Sequence, residues 1–290
     1  MKLSGRRKLV LAGPWLWLIL FFLAPFALVV KISLAQAELG VPPYTPLLDA
    51  AGHIQASLAN YALLFTDDLY LRAYWGSVRI AALATAFALL LGYPFAYAIA
   101  RAPASRRSFY LLLAIAPFWT SFLVRIYAWM GLLRPGGLIN TTLQSLGLID
   151  APLKLMNTEA AAVFGIVYAY LPFMVLPLYA RLEKLDVSLL EAAADLGATP
   201  WRAFRAVTWP WSLPGVWAGC LLVFIPALGE FVIPELLGGP DTLMIGKVMW
   251  SEFFTNRDWP LSAAITVVLL VMLVAPIVAF QAAARRNEAA

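Results

Sequence analysis

Six long blocks of apolar residues, separated by stretches that carry most of the charges, constrain what this chain can fold into. The blocks cover residues of about 11–32, 77–101, 109–133, 159–181, 211–233 and 260–284. Each reaches the roughly 20 residues that an α-helix needs to cross about 30 Å of hydrocarbon. Because the lipid interior offers no hydrogen-bond partners, each block must satisfy its own backbone as a helix. The sequence therefore predicts an all-α, polytopic membrane protein with six transmembrane helices in a single domain, residues 1–290.

Composition supports a membrane protein. Apolar residues make up 62% of the chain and charged residues 13%, whereas a soluble domain is roughly half apolar and a quarter charged. Arg125 interrupts the third block, a position that suits a helix end or the interior of a helix bundle better than a lipid-facing surface.

The Lys and Arg residues predict the orientation of the helices. They are concentrated before the first block and after the second, fourth and sixth, and basic residues in short loops are retained in the cytosol. The residues concerned are Lys2, Arg6, Arg7, Lys8, Arg101, Arg106, Arg107, Arg181, Lys184, Arg202, Arg205, Arg285 and Arg286. Both termini are therefore expected in the cytosol. The net charge of +5 then fits contact with membrane lipid and requires no nucleic acid partner.

The basic start before an apolar run also fits a signal peptide. Signal peptides have an apolar region of about 7 to 15 residues and a small-residue cleavage site. The run here is longer and ends at Val29-Val30-Lys31. We expect a retained membrane anchor.

The segment 182–210 is the longest polar stretch on the predicted cytosolic side. Ser188 can cap a helix that runs through Glu191 and ends near Gly197. Thr199 can cap a second helix that starts with Pro200 and is closed by Pro210. A helix, a glycine turn and a second helix form a stiff projection. Its small alanines would allow a partner to approach closely, and the charged side chains around them would form ion pairs with it.

Within this segment, Glu191-Ala192-Ala193, Asp195, Gly197, Pro200, Arg202 and the closing Val207-Thr208-Trp209-Pro210 form a recognisable pattern. It resembles the EAA loop of ABC importer permeases, which grips a cytosolic ATPase. Val207 and Trp209 stand where that family more often has Ile and Leu. An alanine-rich helix can contain Glu-Ala-Ala by chance. The glycine offset, the terminal proline and the place before the last two blocks favour docking.

Nearly the whole chain is similar to permeases of spermidine/putrescine importers. The similarity is carried by Gly92-Tyr93-Pro94, Pro117-Phe118-Trp119-Thr120-Ser121, Leu171-Pro172-Phe173-Met174, Pro226-Ala227-Leu228-Gly229-Glu230-Phe231 and Trp259-Pro260, among other segments. The resemblance implies the type I ABC importer permease fold in a bacterial inner membrane. It also implies a second homologous permease, a dimer of ABC ATPases that binds the ATP, and an external solute-binding protein.

Acidic and aromatic residues near the external ends of the spans are compatible with a cationic polyamine substrate. Aromatic faces attract ammonium groups by about 0.5 to 2 kcal/mol, and acids at membrane depth are costly enough to suggest function. The candidate path residues are Glu230, Glu235, Phe118, Trp119, Tyr127, Trp129 and Phe231. Aromatic belts are also normal at bilayer interfaces. Glu230 could instead pair with Arg125 or with a residue of the second permease.

Three other functions compete with this interpretation. A different small solute, such as iron, a phosphonate or an opine, would use the same docking loop. A membrane scaffold would recruit a partner other than an ATPase. A membrane enzyme is disfavoured because the spans lack paired acids or a nucleophile with a base, and no phosphate-binding loop is present. No catalytic residue, metal site or cofactor is predicted on this chain, which holds one cysteine and one histidine.

Overall fold

The computed structural model describes residues 5–47, 53 and 55–289. The α-helices in chain order are α1 Gly5–Leu18, α2 Ala24–Ser33, α3 Ala59–Thr66, α4 Asp68–Arg101, α5 Ala104–Ile115, α6 Phe122–Leu133, α7 Leu138–Ser145, α8 Glu159–Leu182, α9 Ser188–Asp195, α10 Pro200–Ala203, α11 Trp209–Leu228, α12 Val232–Leu236, α13 Ile245–Trp250 and α14 Trp259–Ala289. A 3-10 turn lies at Ala116–Trp119, and π turns lie at Ile19–Leu23, Phe204–Thr208 and Ser251–Thr255. Among the described residues the one β-type pairing is the bridge between Ala37 and Tyr44. The all-α prediction is confirmed.

Four helical stretches are long and apolar enough to cross a membrane. They are Ala12–Ser33, Asp68–Arg101, Glu159–Leu182 and Pro200–Leu228. They contain the predicted second and fourth spans and most of the first and fifth. The sixth predicted span lies within α14, whose apolar part is described from Trp259 to Val274. Counting a bent helix pair as one span gives up to five in the described residues, so the number six stays a prediction.

The third predicted span, 109–133, is wrong as a continuous helix. Ala104–Trp119 and Phe122–Ser145 are bent by 87° relative to each other. Pro117 has no amide hydrogen and lies in the 3-10 turn that follows α5, and Thr120 after it is extended with ψ of 151°. Proline at such a point ends the regular hydrogen-bond ladder, which allows the chain to turn sharply.

The fifth predicted span, 211–233, also has the wrong end. Helix α11 stops at Leu228, and Gly229 follows it. A separate short helix, α12, begins at Val232 after Phe231, whose φ and ψ of −126° and −34° lie outside the helical region. The break contains Gly229 and Glu230, and apolar residues resume at Phe231, so the predicted span extends past the end of the helix.

The chain divides into two compact units, one of which is Ala73–Lys247. In that unit α8 and α11 lie side by side. A Cβ atom added to Gly219 would lie 2.7 Å from Met174 Sδ, and one added to Gly215 would lie 2.9 Å from Pro177 O. Since real Cβ atoms do not approach so closely, the two glycines allow the helices to meet at short range.

The other unit comprises Met1–Arg72 and Val248–Ala290. Here α14 packs on α2 and α3. The Asn60 side-chain amide donates to the carbonyl oxygens of Ser33 at 3.1 Å and Ala35 at 2.8 Å, which holds α3 to the end of α2. Glu252 is buried and accepts a hydrogen bond from the Tyr70 hydroxyl at 3.1 Å.

Candidate functional site

The first helix of the segment 182–210, hereafter the coupling segment, begins at Ser188 itself. The predicted Ser188 cap is wrong, because Val187 before it is already helical and the cap position makes no side-chain hydrogen bond. Instead the Asp186 carboxylate accepts the backbone N–H of Ser188 at 3.0 Å. An aspartate two residues ahead satisfies a free amide as a cap would. This hydrogen bond lowers the pKa of Asp186 below its usual value.

The first helix of the coupling segment ends at Asp195, close to Gly197 as predicted. Gly197 has φ of +75°, a conformation that is strained for other residues. Its N–H donates to Ala194 O at 2.8 Å, and the Ala198 N–H donates to Ala193 O at 3.0 Å. These two bonds form a Schellman motif, which satisfies the last carbonyl groups of the helix and reverses the chain.

The second helix begins as predicted but does not end at Pro210. The Thr199 side chain accepts the Arg202 N–H at 3.4 Å, and Pro200 is the first helical residue. The chain then continues through the π turn Phe204–Thr208 into α11, where Pro210 lies in the first turn. The predicted closure by Pro210 is therefore wrong. A wider π turn before the proline reduces the clash of its ring with the preceding turn, so the helix continues.

The coupling segment presents apolar side chains to its surroundings. Leu196 is 89% exposed and Trp201 is 69% exposed, and Val187 and Leu189 are also largely exposed. A monomeric protein rarely leaves large apolar surface uncovered, and an apolar centre with a polar rim is typical of protein interfaces. The predicted docking residues lie on this surface: Glu191, Ala192, Asp195, Gly197, Pro200, Arg202 and Pro210 are exposed, and Ala193 is half-buried.

Side-chain contacts join α8 and α11, the two helices that flank the coupling segment. The Arg181 side chain donates to Trp211 O at 3.0 Å, and the Trp211 indole N–H donates back to Arg181 O at 3.1 Å. The Arg181 guanidinium also lies 4.4 Å from the centre of the Trp211 ring. Two hydrogen bonds and a cation-π contact thus tie the end of α8 to the start of α11.

The carboxylate of Glu230 is buried, and both of its oxygens accept hydrogen bonds from this chain. Glu230 is 8% exposed. Its Oε1 accepts the backbone N–H groups of Phe231 at 3.1 Å, Val232 at 3.0 Å and Ile233 at 3.4 Å, so it caps the start of α12. Its Oε2 accepts the hydroxyl of Tyr170. The pairing of Glu230 with Arg125, an alternative that the sequence left open, is wrong. Its contact with substrate stays a prediction.

Phe118 is linked to Glu230 through two other rings. Phe118 meets Phe173 edge to face with centroids 5.3 Å apart, and Phe173 lies 6.0 Å from the ring of Tyr170. The Arg125 guanidinium lies 5.2 Å from the centre of Phe118. The protein's own cation therefore already makes a cation-π contact with that ring.

The remaining candidates of the substrate path are scattered. Trp119 is 73% exposed, and Tyr127 is also largely exposed. Trp129 packs edge to face on Phe164 and Tyr168, with centroids 4.5 Å and 5.3 Å away. Phe231 is half-buried, and Glu235 forms an ion pair with Lys247 at 3.0 Å. Of the seven predicted residues, the contacts thus link Phe118 with Glu230 and Phe231, and leave the others apart.

Sequence reasoning missed Tyr170 and Phe173 as part of this cluster. They lie three residues apart in α8, a spacing that places two side chains on one face of a helix. That spacing was a signal available in the sequence. Their connection to Glu230 was not, because Glu230 follows 60 positions later in the chain.

Comparison with known proteins adds evidence that the geometry alone does not provide. Residues 84–287 match the family model described as binding-protein-dependent transport system inner membrane component. The spermidine/putrescine transport system permease protein PotB of Haemophilus influenzae is 40% identical over 267 residues, which cover 92% of this chain and 90% of that protein.

Solved structures are similar in fold. A bacterial ABC transporter involved in the import of the acidic polysaccharide alginate superposes with a TM-score of 0.70 at 16% identity, over 97% of this chain and 96% of that chain. The bacterial alginate ABC transporter in complex with an alginate pentasaccharide-bound periplasmic protein gives 0.67 at 17% identity, over 93% of both chains. At such identity the likeness shows the fold alone.

Proposed function

Because the chain belongs to the family of binding-protein-dependent transport system inner membrane components, we propose that it is the permease subunit of an ATP-driven importer of the polyamines putrescine and spermidine. Family membership and the apolar helices make it a multi-pass inner-membrane protein. Its relatives are transport system permeases, so the chain is a non-catalytic transport subunit rather than an enzyme.

The choice of polyamines rests on one observation. The identity of 40% to a spermidine/putrescine permease extends over 92% of the chain, and it therefore includes the external ends of the helices as well as the coupling segment. The cluster around Glu230 does not carry this choice, because hydrogen bonds within the chain engage its carboxylate and Arg125 lies over the Phe118 ring.

This family of permeases works with a second permease, an ATPase and a solute-binding protein. For this chain we assign the second permease to a homologous subunit and the ATP to a dimer of cytosolic ATPases, so that no cofactor binds to the chain itself. The exposed apolar surface with Leu196 and Trp201 supports docking of an ATPase on the coupling segment. That assignment places the segment and both ends of this sequence on the cytosolic side, in agreement with the distribution of Lys and Arg.

The contacts at the base of the coupling segment support a mechanism of coupling. When ATP draws the two ATPases together, each carries a docked coupling segment with it. Because Arg181 and Trp211 tie α8 to α11 at this point, a displacement of the segment acts on both helices together. Opening of the bundle toward the outside would then admit the solute from its binding protein.

Transport in a reconstituted system tests the proposal. The chain is purified with its second permease and ATPase and placed in proteoliposomes with ATP inside and the binding protein outside. We expect accumulation of radiolabelled putrescine or spermidine that requires both ATP and the binding protein. Liposomes without ATP are the control. Uptake of iron, a phosphonate or an opine but of neither polyamine would replace the proposed solute, and no ATPase in the purified complex would favour a scaffold.

A further inference from the structure

Aromatic rings connect the coupling segment to the inner end of α4. Tyr93 of α4 meets Phe204 edge to face with centroids 5.8 Å apart, and it lies 5.5 Å from the ring of Trp209. Tyr97, one turn further along α4, also meets Phe204 edge to face at 6.4 Å. We call these four residues the aromatic clamp. Each such pair adds to the stability of the contact beyond the area it buries.

The π turn makes the aromatic clamp possible. Phe204 and Trp209 are five residues apart, and at 100° per residue an α-helix would place them about 140° apart around its axis. In the π turn, the Trp209 N–H bonds to Phe204 O, five residues back. The wider turn brings both rings to one side of the helix, where both reach Tyr93. π turns inside helices are frequently found at functional positions.

A chain of hydrogen bonds holds Tyr93 against the same helix. The Ser212 hydroxyl donates to Trp209 O at 2.8 Å and lies 2.9 Å from the Tyr93 hydroxyl. Since Ser212 uses its hydrogen for Trp209, the Tyr93 hydroxyl donates to Ser212. Ser212 is fully buried, so this chain is shielded from competition with water.

We propose that the aromatic clamp transmits movement of the coupling segment to α4, which makes Tyr93 and Phe204 positioning residues for transport. The coupling segment is joined to α8 and α11 through the chain itself, whereas α4 is reached through these rings. Close-packed rings move as a unit rather than deforming continuously. A displacement of Phe204 therefore moves Tyr93, and with it the helix that contains Gly92, against which Met174 of α8 packs. This inference rests on the proposed coupling to an ATPase and is independent of the solute.

The first test compares variants in the complete reconstituted complex. Phe204→Ala removes the ring that contacts both tyrosines, and Trp217→Ala is the control, since Trp217 lies on α11 and is 68% exposed. We expect Phe204→Ala to retain the ATPase but to lower solute uptake per ATP hydrolysed by about fivefold, the lower bound for loss of its two aromatic pairs with the tyrosines. Tyr93→Phe keeps the ring contacts and should lower the ratio less. An unchanged ratio in Phe204→Ala, with the complex intact, overturns the proposal.

The second test measures movement directly and needs no solute. Spin labels are attached to cysteines introduced at Ala98 of α4 and Ser188 of α9 in a Cys220→Ser background, because both positions are exposed. With the clamp intact, we expect the distance between the labels to keep one narrow distribution with and without ATP. In Phe204→Ala the distribution should broaden or shift on ATP binding. If ATP changes the distance between the labels equally in wild type and Phe204→Ala, the inference is contradicted. If wild type only fails to take up polyamine, the proposed solute alone is contradicted.

Discussion

The coupling segment and the region around Glu230 use their polar and apolar groups in opposite ways. In the coupling segment, local backbone bonds complete the helix ends, and large side chains such as Leu196 and Trp201 are left exposed. Around Glu230, the carboxylate is buried and receives hydrogen bonds from three backbone amides and Tyr170. The first region satisfies its backbone groups locally but leaves large apolar side chains exposed. In the second region, both carboxylate oxygens accept hydrogen bonds from groups of this chain.

This difference predicts where substitutions affect assembly and where they affect stability. Exposed apolar residues at an interface contribute to binding when a partner covers them, and their removal leaves the free subunit almost unchanged. A buried carboxylate that caps a helix contributes to folding whether or not a partner is present. Variants of the coupling segment should therefore lower retention of the ATPase, whereas variants around Glu230 should lower thermal stability in detergent.

The largest expected effect is at Gly197. Gly197→Val forces a β-branched residue into φ of +75°, which costs about 1 to 3 kcal/mol and distorts the turn of the docking surface. We expect the ATPase no longer to co-purify with the permease. Gly147→Val is a matched control, because Gly147 also has positive φ, +66°, with no atom within 4 Å of an added Cβ, and it follows α7 outside the coupling segment. If both variants retain the ATPase equally, Gly197 has no special part in docking.

A smaller effect is expected from Leu196→Asp. The substitution places a charge on the apolar surface without disturbing packing, because the side chain has little cover in the free chain. We expect affinity for the ATPase to fall by about tenfold, equivalent to about 1.4 kcal/mol, with an unchanged melting temperature. Leu148→Asp, at an exposed leucine outside the segment, is the control. Equal affinity in Leu196→Asp and wild type would remove Leu196 from the interface.

Glu230→Gln tests the other region. Glutamine keeps the size and one oxygen acceptor but loses the charge that strengthens three backbone hydrogen bonds, at a cost of about 1 to 2 kcal/mol. We expect a lower melting temperature and unchanged retention of the ATPase. Glu235→Gln is the control, since Glu235 is exposed and pairs with Lys247 at its surface, where such pairs contribute little. A raised KM for polyamine at unchanged stability would instead indicate direct contact between Glu230 and substrate.

Tyr170→Phe sharpens the same comparison with a smaller change. It removes one of the four hydrogen bonds to Glu230 and leaves the ring against Phe173. The expected loss of stability is about 0.5 to 1.5 kcal/mol, measured as a shift in thermal unfolding. The double variant with Glu230→Gln should lose less than the sum of the two single variants, because both act on one contact. Strict additivity would show that the two residues do not interact.

The smallest effect is expected at Asp186. Its pKa is lowered because the Ser188 N–H donates to the charged carboxylate. A lowered pKa in the folded protein means that the contribution is present at neutral pH and is lost as pH falls through that pKa. We therefore expect Asp186→Asn to increase hydrogen exchange of the first amides of α9 slightly at pH 7. The difference from wild type should vanish at low pH, and a difference that persists there would exclude the charge as its cause.

Several features could be predicted from the sequence because they depend on neighbours within a few residues. The apolar blocks, the glycine turn at Gly197 and the Thr199 cap all follow from hydropathy and local backbone chemistry. The ends of helices in long apolar stretches did not follow. Apolar residues flank Pro117 on both sides and resume at Phe231 after Gly229 and Glu230, so hydropathy averaged over the length of a span, about 20 residues, bridges both breaks.

The sequence by itself determined that this chain forms membrane helices, that a helix–glycine–helix projection lies before α11, and which family of permeases it resembles. Only the tertiary structure decided that Pro210 lies inside a helix, that Tyr170 rather than Arg125 meets Glu230, and that Tyr93 meets both Phe204 and Trp209. The physical reason is the distance along the chain over which each effect acts. Backbone propensity and hydropathy act over one or two turns, whereas the partner of a buried side chain is set by helices that are distant in the chain and adjacent in space.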